Sequence, residues 1–348
     1  MIRERSLWQP VRWSDLPGWG NDTLHHAWNA WLRSCERPAP DWRAACREVR
    51  LLSVAEPDEQ WHWLVTRLQP YRISQPDGSL PQGLLTGYYE PEMAASRLRT
   101  ETHTVPLFAP PAGRTGDRTP WFSRRDIDTR PDARAALAGR EIAWLADPID
   151  ALILQIQGSG RLTVREPDGR ERTVRLAFAA HNGHPYRSVG RWLLDQQAVT
   201  DVSWPAIKAW VARNPHRLQE LLWSNPRTVF FREESLEPLE AQWGPRGAQG
   251  VPLTPQRSVA IDPTTVPYGT PLWLVTQGPA ANWQRLVLAQ DTGGAIVGAA
   301  RADYFAGTGD AALAVVAGLK QPVQLWALWP RSSGAVAAEP TVRATTAP

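Results

Sequence analysis

Two aspartates, Asp291 and Asp303, flank a glycine-rich turn in the stretch QDTGGAIVGAARADYF, and a third, Asp262, ends the apolar run SVAID upstream. Carboxyl groups can donate and accept protons in general acid–base catalysis. Gly293 and Gly294 lack a Cβ, so the backbone there would admit a bulky substrate, although such glycines also make plain turns. The stretch therefore predicts carboxylate catalysis on a large substrate, with the turn-forming alternative left open.

The tripeptide that begins at Asp291 is also typical of aspartic proteases, whose two aspartates share one proton and each sit in such a loop. The chain contains a single Asp-Thr-Gly, which argues against that class. Glycoside cleavage is the remaining carboxylate chemistry. There, a protonated carboxyl group donates to the glycosidic oxygen while the sugar becomes oxocarbenium-like. We therefore favour a carbohydrate substrate.

Other reaction classes have little support. The segment QGSGR lacks the G-x-S-x-G pattern of a nucleophilic serine, and no phosphate-binding P-loop is present. The two histidines of HNGH have no third ligand at a metal-like spacing, and two cysteines cannot form a four-cysteine zinc site. Cys35 and Cys46 lie in consecutive helical patterns, where they could form a disulfide or remain buried thiols. We expect neither a metal nor a cofactor.

The composition is that of a globular protein of 348 residues, which is enough for two domains. The net charge of +3 comes without a basic cluster, so nucleic-acid binding is not expected. Most of the 19 tryptophans lie in apolar helical patterns and should be core, while a few could stack on sugar rings. The amino terminus has no signal-peptide pattern, so the chain is either cytoplasmic or lacks its export segment.

Helical and strand patterns alternate along the chain. Residues 20–70 and 187–222 have helical periodicity, whereas GLLTGYYEPEM and the segments DALILQIQGSGRLTVRE and RERTVRLAFAAHNG favour strands. Strand patterns resume after residue 258, and they carry the three aspartates. The strand near residue 85 has no obvious neighbour nearby in the sequence, so we expect it to pair with these distant strands in a discontinuous domain.

The two segments VPLTPQRSVAIDPTTVPYGTPLWL and AQDTGGAIVGAARADYFAGTGDAA resemble the three-aspartate region of the membrane-bound lytic murein transglycosylase A family. GLLTGYYEPEMAASR, QIQGSGRL, GHPYRSVGRWL and NPRTVFFRE also match that family, in its order, so that the resemblance covers about residues 7–329. It implies a mainly β fold with helical decoration: a double-psi β-barrel related to barwin, an inserted second β domain, and a glycan groove between them. The expected boundaries are 1–95 with 240–330 for the barrel, 96–239 for the insert and 331–348 for a disordered tail.

The reaction implied by the resemblance cuts the β-1,4 bond between N-acetylmuramic acid and N-acetylglucosamine without water, leaving a 1,6-anhydro end. The essential acid of the family maps to Asp303, which would act first as general acid and then as general base. It must begin protonated, which requires a pKa raised by burial or by a nearby anion such as Asp291. We therefore expect the Arg301 guanidinium to point away from Asp303. Asp291 and Asp262 are expected to support backbone and substrate.

The upstream motifs predict residues that contact the glycan through ring stacking or through its N-acetyl and hydroxyl groups: Tyr88, Tyr89, Gln157, Gly158, Ser159, Tyr186 and Arg187, together with Gly293 and Gly294 of the turn. The expected partner is the peptidoglycan strand, bound by a monomer without nucleic acid. The resemblance also implies a periplasmic protein, attached to the outer membrane by a lipid anchor that this chain lacks. A barwin-like glycan hydrolase and a non-catalytic peptidoglycan-binding module remain as alternatives.

Overall fold

The computed structural model describes residues 1–114, 116 and 119–331. The tail predicted to be disordered therefore lies, except for Arg331, outside the described residues. The chain forms two compact units. Unit 1 consists of Met1–Tyr88, Arg246–Gly307 and the chain from Leu319 onward, and unit 2 consists of Tyr89–Pro245 and Thr308–Gly318. The sequence predicted domain boundaries between residues 95 and 96 and between residues 239 and 240. These boundaries stay a prediction.

In chain order the strands are β1 (Leu7–Pro10), β2 (Leu68–Ser74), β3 (Leu84–Glu90), β4 (Glu92–Ser96), β5 (Val105–Phe108), β6 (Glu141–Leu145), β7 (Ser159–Arg165), β8 (Glu171–His181), β9 (Val229–Ser235), β10 (Ser258–Ile261), β11 (Pro271–Gln277), β12 (Asn282–Asp291), β13 (Arg301–Thr308) and β14 (Lys320–Pro330). The α-helices are α1 (Leu24–Ser34), α2 (Arg43–Leu51), α3 (Pro57–Arg67), α4 (Arg124–Thr129), α5 (Pro131–Leu137), α6 (Pro148–Gln157), α7 (Val189–Asp195), α8 (Trp204–Arg213), α9 (Leu218–Ser224) and α10 (Gly309–Val316). Short 3-10 turns lie at Trp13–Asp15, Pro40–Trp42, Leu52–Val54 and Pro215–Arg217. No helix in the described part of the chain is long and apolar enough to cross a membrane.

The sheet of unit 1 has the order β1-β2-β14-β11-β12-β10-β13-β3. Because β14 also pairs with β3, the strands from β14 to β3 form a closed, barrel-like ring. Closure removes the unpaired edges that an open sheet would leave. The strand near residue 85 thus pairs with strands more than two hundred residues away, as the sequence predicted. The predicted mainly β fold with a barrel and helical decoration is confirmed.

A cluster of tryptophans packs the amino-terminal helices of unit 1 against one another. The indole ring of Trp31 lies 5.4 Å from that of Trp28, 5.8 Å from that of Trp42 and 5.3 Å from that of Trp63, measured between ring centroids. All four side chains are buried, and ten of the 19 tryptophans are buried in the chain as a whole. The prediction that most tryptophans belong to the core is therefore confirmed.

A disulfide joins Cys35, directly after α1, to Cys46 within α2, with 5.4 Å between the two Cα atoms. Both cysteines are almost completely buried. The spacing of the cysteines left a bridge and two thiols equally open, and the structure contains the bridge. It links the ends of a helical hairpin that the tryptophan cluster already packs together.

Unit 2 contains a second sheet with the order β5-β6-β4-β7-β8-β9, in which β4 and β7 are parallel and the other pairs are antiparallel. Its core consists of alternating apolar residues from these strands, including Leu162, Val164, Val174, Leu176 and Phe231. The helices α6 to α9 contribute a neighbouring apolar cluster. The strand predicted from Asp150 is wrong over its first half: Asp147 and Pro148 begin a helix, α6, and the strand β7 starts only at Ser159. This second β-rich body contains most of the upstream motifs.

A buried charge cluster connects the start of unit 2 to its sheet. Glu90 is completely buried and accepts hydrogen bonds from Arg161 Nε at 2.8 Å, from Arg175 Nε at 2.6 Å and from Thr308 Oγ1 at 3.0 Å. The same two guanidinium groups donate to the backbone carbonyls of Ala241 and Trp243. One carboxylate therefore holds two strands and a distant loop together.

Candidate active site

The strand register of unit 1 brings two of the three aspartates to one place. The central strand β10 pairs in parallel with β12 and in antiparallel fashion with β13. Ala260 is the register partner of Asp291 on one side and of Asp303 on the other. With strands about 4.8 Å apart, the two aspartate backbones lie roughly 10 Å from each other. Their side chains thus begin within reach of electrostatic coupling.

Asp303 accepts a hydrogen bond at Oδ1 from the hydroxyl group of Thr86 on β3. The Thr86 oxygen in turn accepts a hydrogen bond from Arg301 Nη2 at 2.8 Å, so its own hydrogen is directed to the carboxyl group. Among the described residues, no donor contacts Oδ2 of Asp303. If Asp303 is protonated, Oδ2 is therefore the oxygen that carries the proton.

Burial raises the pKa of Asp303, and the charge of Asp291 raises it further. The Thr86 hydrogen bond and the Arg301 charge oppose this effect, but they do not outweigh it. Desolvation favours the neutral form of a carboxyl group because its anion loses hydration. Asp303 can consequently hold its proton to a higher pH than an ordinary aspartate, as a general acid must.

The expectation that Arg301 points away from Asp303 is wrong. Its guanidinium group donates to Thr86 Oγ1 and, at 3.3 Å, to the carbonyl oxygen of Leu84. The physical reason is that β13 and β3 are neighbours in the sheet, and the half-buried guanidinium satisfies its donors with groups of β3. A cation beside the acid is tolerated because burial has the larger influence on the pKa of Asp303.

Asp291 has both carboxyl oxygens bonded to protein. Oδ2 accepts from the Tyr88 hydroxyl at 2.8 Å, and Oδ1 accepts from the Ala248 backbone N–H at 2.9 Å. Burial raises the pKa of Asp291, while these hydrogen bonds favour its anion. Burial, followed by the charge of Asp291, places the pKa of Tyr88 well above its ordinary value, so its hydroxyl remains a donor. The Tyr88 ring packs against Phe305 with 5.2 Å between centroids.

Asp262 links its own loop to the glycine-rich turn. Its Oδ1 accepts from the Thr264 backbone at 3.0 Å and the Thr264 hydroxyl at 2.6 Å, and its Oδ2 accepts from Gly298 N at 2.9 Å. Burial would raise the pKa of Asp262, but these hydrogen bonds outweigh it and keep the pKa below its usual range. Gly298 has a φ of 114°, a conformation that other residues rarely adopt. The ionised carboxylate thus caps a turn that only glycine suits.

The turn itself is open to solvent. Gly294 is exposed, and Val297 is 55% exposed. A Cβ on Gly293 would lie 3.0 Å from the Ile296 side chain, so this glycine also permits tight packing within the turn. Within the described residues, no group of three histidine, cysteine or acidic side chains is arranged to hold a metal ion.

The QIQGSGRL motif of unit 2 lies at the junction of α6 and β7. Gln157 ends the helix, and its Oε1 accepts from the backbone N–H of Tyr89 at 3.1 Å. Gly158 caps the helix with a φ of 83°, so its backbone conformation alone requires glycine. Tyr89 is 7% exposed and Ser159 is 6% exposed, which leaves each little surface for a ligand. Their predicted roles in glycan binding stay predictions.

Tyr186 and Arg187 lie between β8 and α7, also in unit 2. Burial raises the pKa of Tyr186, whose ring is half-buried. Arg187 is exposed. Their predicted contacts with substrate likewise stay predictions.

Thr86 is the site residue that the sequence-based reasoning missed. It lies two positions before Tyr88 on β3, and residues two apart on a strand point to the same face. Since Tyr88 was already a candidate, this alternation was the signal that could have identified Thr86. Ala248 contacts Asp291 through its backbone N–H, so the residue type at position 248 could not have predicted this contact.

We expect the Thr86→Val variant to shift the pH dependence of activity. The Thr86 hydrogen bond lowers the pKa of Asp303, so its loss should raise that pKa. A general acid loses activity as the pH rises through its pKa, and the alkaline limb of kcat/KM should therefore move to higher pH. The control is Thr86→Ser, which keeps the hydroxyl group and should retain the wild-type limb. An unchanged or lowered limb in Thr86→Val would contradict this arrangement.

Comparisons with known proteins identify similar domains and chains. Residues 84–232 match the family model described as the MltA specific insert domain, and residues 257–329 match the 3D domain model. The lytic transglycosylase LtgG of Burkholderia pseudomallei is 40% identical, covers 93% of this chain and 96% of its own, and superposes with a TM-score of 0.63. A membrane-bound lytic murein transglycosylase from Agrobacterium tumefaciens is 27% identical, covers 93% and 97% of the two chains, and has a TM-score of 0.79.

Among sequence relatives, the membrane-bound lytic murein transglycosylase A of Escherichia coli K12 is 35% identical over 224 residues. This match covers 61% of the chain and 56% of the relative, so it extends over little more than half of the relative's length.

Proposed function

Because the chain belongs to the membrane-bound lytic murein transglycosylase A family, we propose that it cuts peptidoglycan without water. The bond cleaved is the β-1,4 bond between N-acetylmuramic acid and N-acetylglucosamine, and the product carries a 1,6-anhydromuramoyl end. The observation that carries this proposal is the half-buried carboxyl group of Asp303, whose pKa is raised and whose Oδ2 accepts no bond from the described residues.

In the first step Asp303 Oδ2 donates its proton to the glycosidic oxygen as the bond from that oxygen to muramoyl C1 breaks. The C6 hydroxyl group of the same sugar then attacks C1, and the Asp303 carboxylate accepts the hydroxyl proton. The carboxyl group is restored, and no water is consumed. Since the nucleophile belongs to the substrate, its effective concentration is high and a second catalytic base is unnecessary.

The surroundings of the other two aspartates favour this reaction over hydrolysis. A hydrolase of the inverting type needs a second carboxylate that activates water. Both oxygens of Asp291 and both oxygens of Asp262 are already hydrogen-bonded to protein donors. We therefore assign Asp291 to raising the pKa of Asp303 and holding Tyr88, and Asp262 to holding the glycine-rich turn.

We further propose that the predicted site residues contact the glycan. In unit 1 these are Tyr88 on β3 together with Gly293 and Gly294 of the exposed turn. In unit 2 they are Tyr89, Gln157, Gly158, Ser159, Tyr186 and Arg187. The exposure of Gly294 and the absence of a side chain on Gly293 and Gly294 support this. Because all three aspartates belong to one unit of one chain, a monomer suffices for the chemistry.

We propose a periplasmic location, attached to the outer membrane. The disulfide between Cys35 and Cys46 supports an oxidising compartment, because such bonds rarely persist in the cytoplasm. Relatives that are named membrane-bound support envelope attachment.

The function is tested by digesting purified peptidoglycan sacculi and weighing the soluble fragments by mass spectrometry. We expect muropeptides lighter by one water than hydrolytic products. Fragments with ordinary reducing ends would assign the chain to the barwin-like hydrolases. Binding without any release of fragments would assign it to the non-catalytic binding modules.

A further inference from the structure

Two neighbouring loops of unit 2 carry arginines that have no acidic partner. Arg227 lies in the loop between α9 and β9, and Arg187 lies in the loop between β8 and α7. The Arg227 guanidinium is half-buried and donates from Nε to the carbonyl oxygen of His184 at 2.9 Å. Within the described part of the chain, neither arginine has a carboxylate within ion-pair distance. Burial alone lowers the pKa of Arg227, without an opposing anion.

A single buried side chain holds the two arginines side by side. Asn225 is 2% exposed, and its Oδ1 accepts from the backbone N–H of Arg187 at 3.2 Å and from that of Arg227 at 3.3 Å. Two donors on one oxygen bring these backbones into close proximity. The two arginine side chains thus start from neighbouring backbone positions on two different loops.

Further buried polar groups hold the backbone of the loop that contains Arg227. Arg124 is 8% exposed and donates from Nε to the Asn225 carbonyl at 3.1 Å and from Nη2 to the Arg227 carbonyl at 2.6 Å. Burial lowers the pKa of Arg124 to about 10, which reflects the cost of keeping its charge out of water. Asn182, which is fully buried, donates to the Pro226 carbonyl at 2.8 Å and accepts from Thr228 N at 3.0 Å.

Such an arrangement is unusual for a plain surface turn. The buried Arg124 and the buried amides of Asn182 and Asn225 fix the backbone of this loop. The loop itself carries the Arg227 guanidinium group, which no acidic side chain of the described residues neutralises. A guanidinium group binds a carboxylate through two parallel hydrogen bonds and keeps its charge at every accessible pH. The arrangement therefore suits a ligand that brings its own carboxylate.

We infer that Arg187 and Arg227 form a binding site for a carboxylate of the peptidoglycan strand. The inference rests on the proposed function and deepens it, because it names a charged group of the substrate that this unit recognises. Two sources offer this chemistry: the lactyl carboxylate of a muramic acid without peptide, and the carboxylates of a stem peptide. Neither is present in a plain chitin oligomer, which is neutral.

Equilibrium binding to three glycans of matched length tests the inference, with all variants built on Asp303→Asn so that no strand is cut. The ligands are a chitin hexamer, a peptide-free peptidoglycan strand and a strand with stem peptides. Arg227→Gln should weaken binding of a carboxylate-bearing strand about tenfold to a hundredfold, because a charged hydrogen bond is lost. Arg187→Gln should have a smaller effect, since the side chain is exposed. Binding of the chitin hexamer should change little.

Arg213→Gln is the matched control, because it removes one exposed positive charge from α8 in the same unit. A loss confined to the peptide-free strand identifies the lactyl carboxylate, and a loss confined to the other strand identifies the stem peptide. If Arg227→Gln does not fold, Arg187→Gln alone decides. The inference is overturned if the arginine variants bind both strands as tightly as Arg213→Gln does. That result leaves the proposed function intact, whereas reducing ends from the wild-type chain would overturn the proposed function itself.

Discussion

The Asp303→Asn variant should fold normally and bind glycan, yet lose turnover by about ten-thousand-fold or more. The amide keeps the shape of the side chain and can still accept the Thr86 hydrogen bond at its oxygen. It cannot donate a proton to the glycosidic oxygen, so the leaving group would depart as an alkoxide. The loss should reach the top of the range for general acid catalysis, because one carboxyl group serves both proton transfers. Turnover of sacculi and thermal unfolding are measured on the same preparations.

Asp291→Asn is the matched comparison, since it makes the same chemical change on β12, which lies on the other side of β10 from Asp303. Its oxygen can keep one of the bonds from Tyr88 and Ala248, but its amide nitrogen faces a donor at the other. We therefore expect a lower melting temperature and a smaller loss of turnover than in Asp303→Asn. A folded, inactive Asp291→Asn beside an Asp303→Asn that retains a large part of its activity would show that the acid is misassigned.

The Glu90→Gln variant should lose about 3–5 kcal/mol of unfolding free energy. Glu90 is fully buried, and the side chains of its partners Arg161 and Arg175 are 11% and 7% exposed. Removing the negative charge leaves two buried guanidinium groups uncompensated, and the new amide nitrogen confronts their donors. The measurement is denaturant unfolding followed by the far-ultraviolet signal.

Glu92→Gln provides the control for that experiment. Glu92 lies two residues further along, its side chain is 58% exposed, and its distance to Arg161 is 4.0 Å. An exposed pair of this kind contributes little to stability, so the variant should unfold close to wild type. Equal stability of both variants would show that the buried cluster does not stabilise unit 2.

The local patterns of the sequence predicted the strands that carry the aspartates well. Apolar runs end at Asp262 and Asp291, and the structure ends β10 at Ile261 and β12 at Asp291. Such runs specify a strand but not its neighbours, because pairing depends on residues far away in the chain. The common register partner of Asp291 and Asp303, Ala260, could not be derived from their spacing.

The incorrect expectation for Arg301 has the same origin. Its orientation was deduced from the pKa that Asp303 needs, without knowledge of the strand beside it. The structure places β3 next to β13, where Thr86 lies between the guanidinium and the carboxyl group. The disulfide could not be predicted for the same reason. The helical spacing of Cys35 and Cys46 allowed a bridge, but only the packing of α1 against α2 decides whether the thiols meet.

The most direct test of the central claim follows the oxygen atoms of the reaction. Sacculi are digested in water labelled with heavy oxygen, and the new ends of the glycan are analysed by mass spectrometry. If the C6 hydroxyl group of the substrate attacks C1 after Asp303 has donated its proton, the new muramoyl ends will be anhydro sugars without label. Muramoyl ends that carry one labelled oxygen at C1 would contradict the account, because they would show that water is the nucleophile.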